Sequence, residues 1–365
     1  MKKKTIFVVS LILFTIVVAG CTGDFLGDEV DTDQETGQLA LFIADNAVND
    51  LDHVYVYIDE VNVNHVDGGW ETINNFEDEE DDMLKVDLLQ LRFTEEKLGD
   101  EILQAGNYDK IRLKLADEDG QEYLSRLVFK NGDEMPLKVP AGSEKGFQID
   151  YDFEIEGDTI TQIVLDVDLT KLVFAGQSGK VLLNTESINI IDKIYAGNIL
   201  GEVLGETEDG ENGEISAEPI QDLEGEDGSS RDVYVEAYNP EVYDEETGEF
   251  NEEPIARAVA LNEELEDTET IRNPGEFMLR GLPDGEYKLR AFVGYRDDDD
   301  EVQIDDDKFK ITIYEELVSV SPGENTDLDD PIILSAVDLE ETEEDTNGDD
   351  SGEDENGDNS EEETD

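Results

Sequence analysis

Phe147, Ile149, Tyr151, Phe153 and Ile155 alternate with polar positions, and Asp150, Asp152, Glu154 and Glu156 fill the outward positions between and after them. Successive side chains of a strand point to opposite faces, so this run fits a strand with one face in a core and one in water. The same period of two recurs at Leu39-Leu41-Ile43, Val54-Val56-Ile58, Ile111-Leu113-Leu115 and Ile163-Leu165-Val167-Leu169. Turn signals separate these runs at Asp67-Gly68-Gly69, Asp119-Gly120, Asn131-Gly132, Gly157-Asp158 and Ser178-Gly179, where glycine or asparagine supplies a positive φ. Only residues 94–98 read as helical in this part of the chain, with Thr94 as cap, Glu95 and Glu96 in the first turn and Gly99 as the stop. The fold expected is all-β, two serial antiparallel β-sandwich domains.

The first sandwich is expected over residues 37–196 and the second over 197–337, each large enough to close its own core. The second opens with Ile199-Leu200-Gly201-Glu202-Val203 and continues through an acidic, glycine-bearing loop between Gly205 and Ser230. Strands resume at Val233-Tyr234-Val235-Glu236-Ala237 and are expected again at 255–260, 277–279, 287–293, 309–313 and 332–334. Residues 338–365 hold almost nothing apolar, and such a segment cannot bury enough surface to offset its ordering entropy, so a disordered acidic tail is expected.

The other end of the chain reads as an address. Lys2, Lys3 and Lys4 precede an apolar stretch from Ile6 to Val18, too short to span a hydrocarbon core that needs roughly 20 residues. Val18-Ala19-Gly20-Cys21 then resembles the bacterial lipobox, in which cleavage between Gly20 and Cys21 leaves a diacylglycerol-bearing cysteine as the mature N-terminus. Residues 1–20 are therefore expected to be a lipoprotein signal peptide and 21–36 a flexible tether. The protein would be extracytoplasmic and held to a membrane by its acyl anchor, inner or outer being left open. Cys21 is the one cysteine in the chain, so no intrachain disulfide can form and stability must come from packed cores.

The formal net charge is −74, and removing residues 1–20 strips three lysines and no acid, leaving −77. Self-repulsion of that size destabilises a compact state unless salt screens it, and the Debye length falls to about 3 Å at 1 M. The excess is spread along the chain: residues 37–196 hold 35 acidic and 13 basic side chains, and residues 197–335 hold 42 and 9. A uniform excess fits whole-surface adaptation to a saline habitat better than a dedicated metal site, which concentrates carboxylates at ligand spacing. Nucleic acid is excluded as a partner, because binding it relies on Lys and Arg neutralising phosphates.

Two stretches resemble known families. Gly37-Gln38-Leu39-Ala40-Leu41-Phe42-Ile43-Ala44-Asp45-Asn46-Ala47, Asp52-His53-Val54-Tyr55-Val56, Gly68-Gly69-Trp70, Val86-Asp87-Leu88-Leu89, Ala105-Gly106-Asn107-Tyr108, Val139-Pro140-Ala141-Gly142 and Ile163-Val164-Leu165-Asp166 together resemble domain of unknown function 4382. That resemblance implies a β-rich prokaryotic surface lipoprotein and brings no established active site. Gly275-Glu276-Phe277-Met278-Leu279-Arg280-Gly281-Leu282-Pro283-Asp284-Gly285-Glu286-Tyr287-Lys288-Leu289 is similar to the carboxypeptidase regulatory-like, transthyretin-like sandwich. It implies an accessory, non-catalytic module. The segment itself reads as a hairpin: a strand, a Leu-Pro-Asp-Gly turn in which proline presets φ and glycine allows its reversal, and a return strand whose Tyr287 and Leu289 face inward.

Candidate chemistry is sparse. His53 and His65 are the only histidines, and neither forms a His-x-x-x-His or Cys-His pairing for zinc, so both read as strand-edge or turn residues. No Gly-x-Ser-x-Gly elbow is present. Asp166 with Asp168, or Asp150 with Asp152, could be drawn as a glycosidase couple, but among 99 acids chance pairs are certain. Calcium is the stronger rival, through the acidic runs 77–82, 297–300 and 305–307; Asp345 to Gly352 has EF-hand alternation without the glutamate at the twelfth position. Trp70, Tyr55 and Tyr57 offer a glycan their rings, although period two more simply puts one face of them in the core. The function expected is a non-enzymatic, cofactor-free binding or scaffolding lipoprotein with an envelope protein or glycan as partner. The alternatives are a calcium-dependent adhesion module, with weak binding of Ca2+ or other cations, and, behind it, an envelope hydrolase.

Overall fold

The computed structural model describes residues 35–337, apart from short segments at 47–48, 50, 77–82, 119–121, 139–144, 175–180, 209–214, 222, 226–229, 267–270 and 298–301. The expected signal peptide with Gly20 and Cys21, the tether as far as residue 34, the tail and its Asp345–Gly352 run lie outside the described residues. So do the turns at Asp119-Gly120 and Ser178-Gly179, the stretch Val139-Pro140-Ala141-Gly142 and the acidic runs 77–82 and 298–300.

The alternating segments form strands: β1 (Thr36–Asn46), β2 (Leu51–His65), β3 (Gly69–Asn75), β4 (Leu84–Asp87), β5 (Glu96–Gln104) and β6 (Gly106–Leu115) open the first sandwich. In one sheet β1 lies between β5 and the strand Ile160–Asp168, with Ile188–Asp192 on the far side of the latter. In the facing sheet β2 lies between β6 and Arg126–Phe129; Phe147–Ile155 flanks β6, and β3 and β4 also pair with β2. Inward residues of both sheets, among them Leu39, Leu41, Ile43, Val54, Val56, Ile58, Ile111, Leu113, Ile149, Ile163 and Leu165, close a single core. The strand that most clearly declared itself keeps its pattern: Phe147, Ile149, Phe153 and Ile155 are buried while Asp150, Asp152 and Glu154 are exposed.

The second sandwich is built on the long strand Ala196–Glu208, paired with Glu276–Pro283, Ile215–Pro219, Asn325–Asp327 and Ile332–Leu334. Opposite it, Asp232–Tyr238 lies between Ala256–Val259 and Gly285–Arg296. Ile199, Val203, Val235, Phe277, Leu279, Leu289, Ile332 and Leu334 form a core of its own. Asp232–Tyr238 is buried on both faces: Val233, Val235 and Ala237 enter the core, while Glu236 behind them accepts from Arg257, Arg290 and the Tyr238 hydroxyl. A fully buried carboxylate is tolerable there because its oxygens meet two guanidinium groups and a phenol.

Several details depart from the sequence reading. The segment expected as a loop between Gly205 and Ser230 holds the strand Ile215–Pro219, paired with Ala196–Glu208. Neither sandwich is antiparallel throughout: β1 runs parallel to Ile160–Asp168, and Ala196–Glu208 runs parallel to Asn325–Asp327 and Ile332–Leu334. Alternation fixes which face is buried and says nothing of a neighbour's direction. The helical turn expected at 94–98 is extended chain entering β5, which pairs antiparallel with β1 and buries Leu98; the short 3-10 helix instead covers Leu88–Leu91. One turn of helix has a costly nucleus, so a nine-residue strand pairing overrides its cap signal. At Gly157-Asp158 the positive φ falls on Asp158 rather than on the glycine.

Both sandwiches use one device where the chain crosses between sheets: Glu96–Gln104 and Glu276–Pro283 lie in one sheet of their sandwich, and the strands that follow them, Gly106–Leu115 and Gly285–Arg296, lie in the facing one. Gly106-Asn107-Tyr108 and Gly285-Glu286-Tyr287 each begin a strand on a glycine at positive φ, +149° and +159° respectively. Each buried tyrosine then donates its hydroxyl to the carbonyl four residues earlier, Tyr108 to Gln104 at 2.9 Å and Tyr287 to Pro283 at 2.7 Å. Leu289 faces inward beside Tyr287 as expected, but the strands flanking the Leu-Pro-Asp-Gly turn belong to opposite sheets, which corrects the hairpin expected there. Each strand finds its hydrogen-bond partner elsewhere, Glu276–Pro283 on Ala196–Glu208 and Gly285–Arg296 on Asp232–Tyr238.

Candidate functional site

The described residues form one compact unit, and its densest buried chemistry lies where the sandwiches meet. The segment leaving the 3-10 helix Leu88–Leu91 presents its carbonyls to Arg280, which sits on Glu276–Pro283 of the second sandwich. Arg280 Nη2 donates to the carbonyls of Leu91, Arg92 and Thr94 at 3.0, 3.1 and 2.9 Å, and its side chain is 5% exposed. Arg92 answers in the opposite direction, donating to Asn49 Oδ1 and to the Val259 carbonyl, both at 3.0 Å. Asn49 in turn donates to Asp232 Oδ1 at 2.8 Å and to the Ala260 carbonyl at 3.1 Å. Lys193 pairs with Glu95, and Arg272 lies over the Phe93 ring at 4.7 Å. A guanidinium fork can serve several acceptors at once, which an ammonium on a flexible stem does poorly.

Beneath this lattice lie Asp45, Asp166 and Asp168, all buried. Both oxygens of Asp45 and Oδ1 of Asp166 have no hydrogen-bond partner. Burial pushes Asp166 up to about 6 against the opposing pull of Arg280, and burial likewise raises Asp45 against Arg92. Asp168 is differently placed: it caps the short helix Leu169–Lys171, accepting from the Thr170 N–H at 3.1 Å and the Thr170 hydroxyl, and it meets Lys171 Nζ at 3.2 Å. The cluster is therefore an electrostatic keystone with desolvated carboxylates. Clefts of about 330, 340 and 420 Å³ border the junction, and Asp45, Asp166 and Asp168 line none of those three.

The residues singled out in the sequence disperse. Asp166 and Asp168 share a strand but have separate duties, and Asp150 and Asp152 are exposed, Asp150 pairing with Lys110. His53 is half-exposed, its Nδ1 2.7 Å from Asp87 Oδ2 and its ring stacked on Tyr55. His65 is a buried turn residue: Nδ1 accepts the N–H groups of Asp67 and Gly68 at 3.1 and 2.9 Å, and the ring meets Tyr108 edge-on. Asp305 is held by Arg231 at 2.5 Å. Among the described residues no group of three or more His, Cys, Asp or Glu is arranged to hold a metal ion. The aromatic trio corrects its reading: Val54, Val56 and Ile58 take the core, so Tyr55 and Tyr57 face outward on β2, under Lys85, and Trp70 is partly exposed against Arg112 at 4.2 Å. Arg92 and Arg280, which organise the junction, carried no local signal, since each is one basic residue beside a strand or turn.

Residues 36–185 match the family model described as "Domain of unknown function (DUF4382)". No curated protein matches the chain. Among solved structures, the chain aligns over 83% of its length with the Bacillus anthracis TIE protein, at 9% identity and a TM-score of 0.19. It aligns over 82% with a leucine-rich repeat protein from Bacteroides thetaiotaomicron, at 11% identity and a TM-score of 0.20. The chain spans only 34% and 27% of those two proteins. The minor pilin GBS52 of Streptococcus agalactiae aligns over 82% of this chain and 96% of its own, at 12% identity and a TM-score of 0.20. Superpositions this loose bear on neither fold nor function. No helix among the described residues is long and apolar enough to cross a membrane.

Proposed function

We propose that this chain is a lipid-anchored, non-enzymatic binding or scaffolding protein, displayed on the outer side of a membrane in a salty environment. Cys21 is its acyl attachment point, and two sandwiches joined into one body are its working part. The observation that carries the scaffolding half of this reading is the junction. Its buried polar side chains are spent on holding two β-sandwiches together, and its desolvated carboxylates lie away from the bordering clefts. A catalytic carboxylate needs a substrate within hydrogen-bond reach, which a walled-in Asp166 does not have. The anchoring half is supported by the lipobox and by the single cysteine.

Cell fractionation tests the reading. Wild-type chain expressed with its leader in a lipoprotein-processing bacterium partitions with membranes and takes up labelled fatty acid, whereas Cys21→Ser does neither. Equal membrane partitioning of both, without label, overturns the anchor. In-cell crosslinking from outward positions of the first sandwich should then return an envelope protein or glycan, and turnover of glycan, ester or peptide substrates by the purified protein would overturn the non-enzymatic assignment.

A further inference from the structure

The largest exposed apolar side chains are not scattered. Ile102, Tyr195, Ile160 and Ile194 are 68%, 67%, 57% and 52% exposed, four of the six most exposed large apolar residues among those described. Strand register gathers them. Gln38 on β1 pairs laterally with Ile160 on one side and with Ile102 on the other, so the two isoleucines flank it on the outer face of one sheet. The Lys193 N–H bonds the Gln162 carbonyl and the Tyr195 N–H bonds the Asp192 carbonyl, which sets Ile194 and Tyr195 in a turn at the same end of that sheet. Further along the same face Val164 and Ile191 meet Met278 and Arg280 of the second sandwich around a cleft of about 340 Å³. One end of the face is thus covered and the other is bare.

The bare end is also where the chain enters the fold. β1 starts at Thr36, two residues before Gln38, and thirteen residues, 22–34, separate Cys21 from the first described residue. Fully extended they reach at most about 45 Å, so an acylated Cys21 sets an upper limit on how far this end of the sandwich lies from the lipid and leaves the docking itself to the exposed side chains. The nearest cations on the face are already engaged, Lys97 with Asp100 at 2.9 Å and Lys193 with Glu95, so isoleucine and tyrosine are the attractive contact chemistry and the exposed carboxylates of Glu35, Glu101 and Asp158 beside them have to be screened. Such side chains partition into the headgroup boundary without needing anionic lipid, and salt that screens the acidic surface favours their approach.

We infer that the rim formed by Ile102, Ile160, Ile194 and Tyr195 rests on the lipid surface to which the chain is tethered, fixing the orientation of the scaffold. This inference rests on the acyl-anchor reading above. The test uses the full-length protein purified from membranes and reconstituted into phosphatidylcholine vesicles at high NaCl, carrying an environment-sensitive maleimide fluorophore at Ile102→Cys or Ile160→Cys, with Glu252→Cys as the control. Unsubstituted protein is the anchor check: an acylated Cys21 takes no label, whereas a labelled wild type that does not enter vesicles defeats the anchor itself. With the anchor intact, emission at 102 and 160 should rise, shift to the blue and be quenched by spin-labelled lipid as the rim enters the headgroup boundary, while 252 stays as in buffer. Unchanged emission at both rim positions in vesicles overturns the inference. So does a rim label shielded before vesicles are added and released by deleting residues 25–30, which would mean that the tether covers the rim instead.

Discussion

Replacing Arg280 with alanine should split the molecule's unfolding in two. The substitution removes the two Nη2 hydrogens that the carbonyls of Leu91, Arg92 and Thr94 share and leaves those carbonyls facing a void. It also takes the one guanidinium that opposes the burial cost of Asp166. Hydrogen bonds to charged groups are worth about 1.5–3 kcal/mol each, and breaking a buried ionic lattice by removing one partner costs about 3–5 kcal/mol, so about 4 kcal/mol of coupling is at stake. At roughly 2–4 °C per kcal/mol for domains of this size, the less stable sandwich should melt about 10 °C below the wild-type transition. Differential scanning calorimetry at constant high salt reads this directly, as one endotherm for wild type and two for Arg280→Ala. Arg280→Lys keeps the charge but not the fork, so it should fall between them. A single transition for Arg280→Ala within about 2 °C of wild type would refute the keystone role.

Asp166→Asn should stabilise the protein at pH 8 by about 1–3 kcal/mol, because Asp166 is raised from 3.8 to about 6 and its charged form is the costly one in the folded state. Wild-type stability from this group accordingly rises as pH falls from 7 through 6 towards 4, and chemical denaturation at pH 5 and pH 8 should show the difference shrinking for Asp166→Asn; a larger pH dependence in the variant contradicts the shift. Gly106→Ala should cost more than Gly285→Ala. Both glycines sit at positive φ, but a Cβ at 106 meets His65 Nε2 at 2.7 Å while at 285 nothing lies nearer than 4.0 Å. Strain alone is worth about 1–3 kcal/mol, and equal losses in urea melts would remove His65 from the argument. Thermal melts in rising NaCl should climb steadily as the −74 surface is screened, and a melting temperature that falls with salt contradicts adaptation to brine.

Much of the fold was legible because a two-sided sheet leaves its mark on every second residue. Phe147–Ile155 showed its buried and exposed faces in the sequence, and the Leu-Pro-Asp-Gly segment before Tyr287 announced a turn, though the chain there crosses to the facing sheet and forms no hairpin. Strand direction was not legible, since parallel and antiparallel neighbours of β1 ask for the same alternation. Nor was the fate of residues 94–98, where a local cap signal lost to pairing with a strand more than fifty residues earlier. The junction was the hardest part. Asp166 stood out as one acid in a pair, yet what gives it meaning is Arg280, more than a hundred residues away and on the other sandwich. In a chain with 99 acidic side chains, a carboxylate is informative only when burial shows that it has left water.

The most direct measurement is the intact mass of the mature protein extracted from the membranes of its own cells. A polypeptide beginning at Cys21 and carrying a diacylglyceryl group is the result expected. A chain that retains residues 1–20, or one that begins at an unmodified Cys21, would contradict the anchored scaffold.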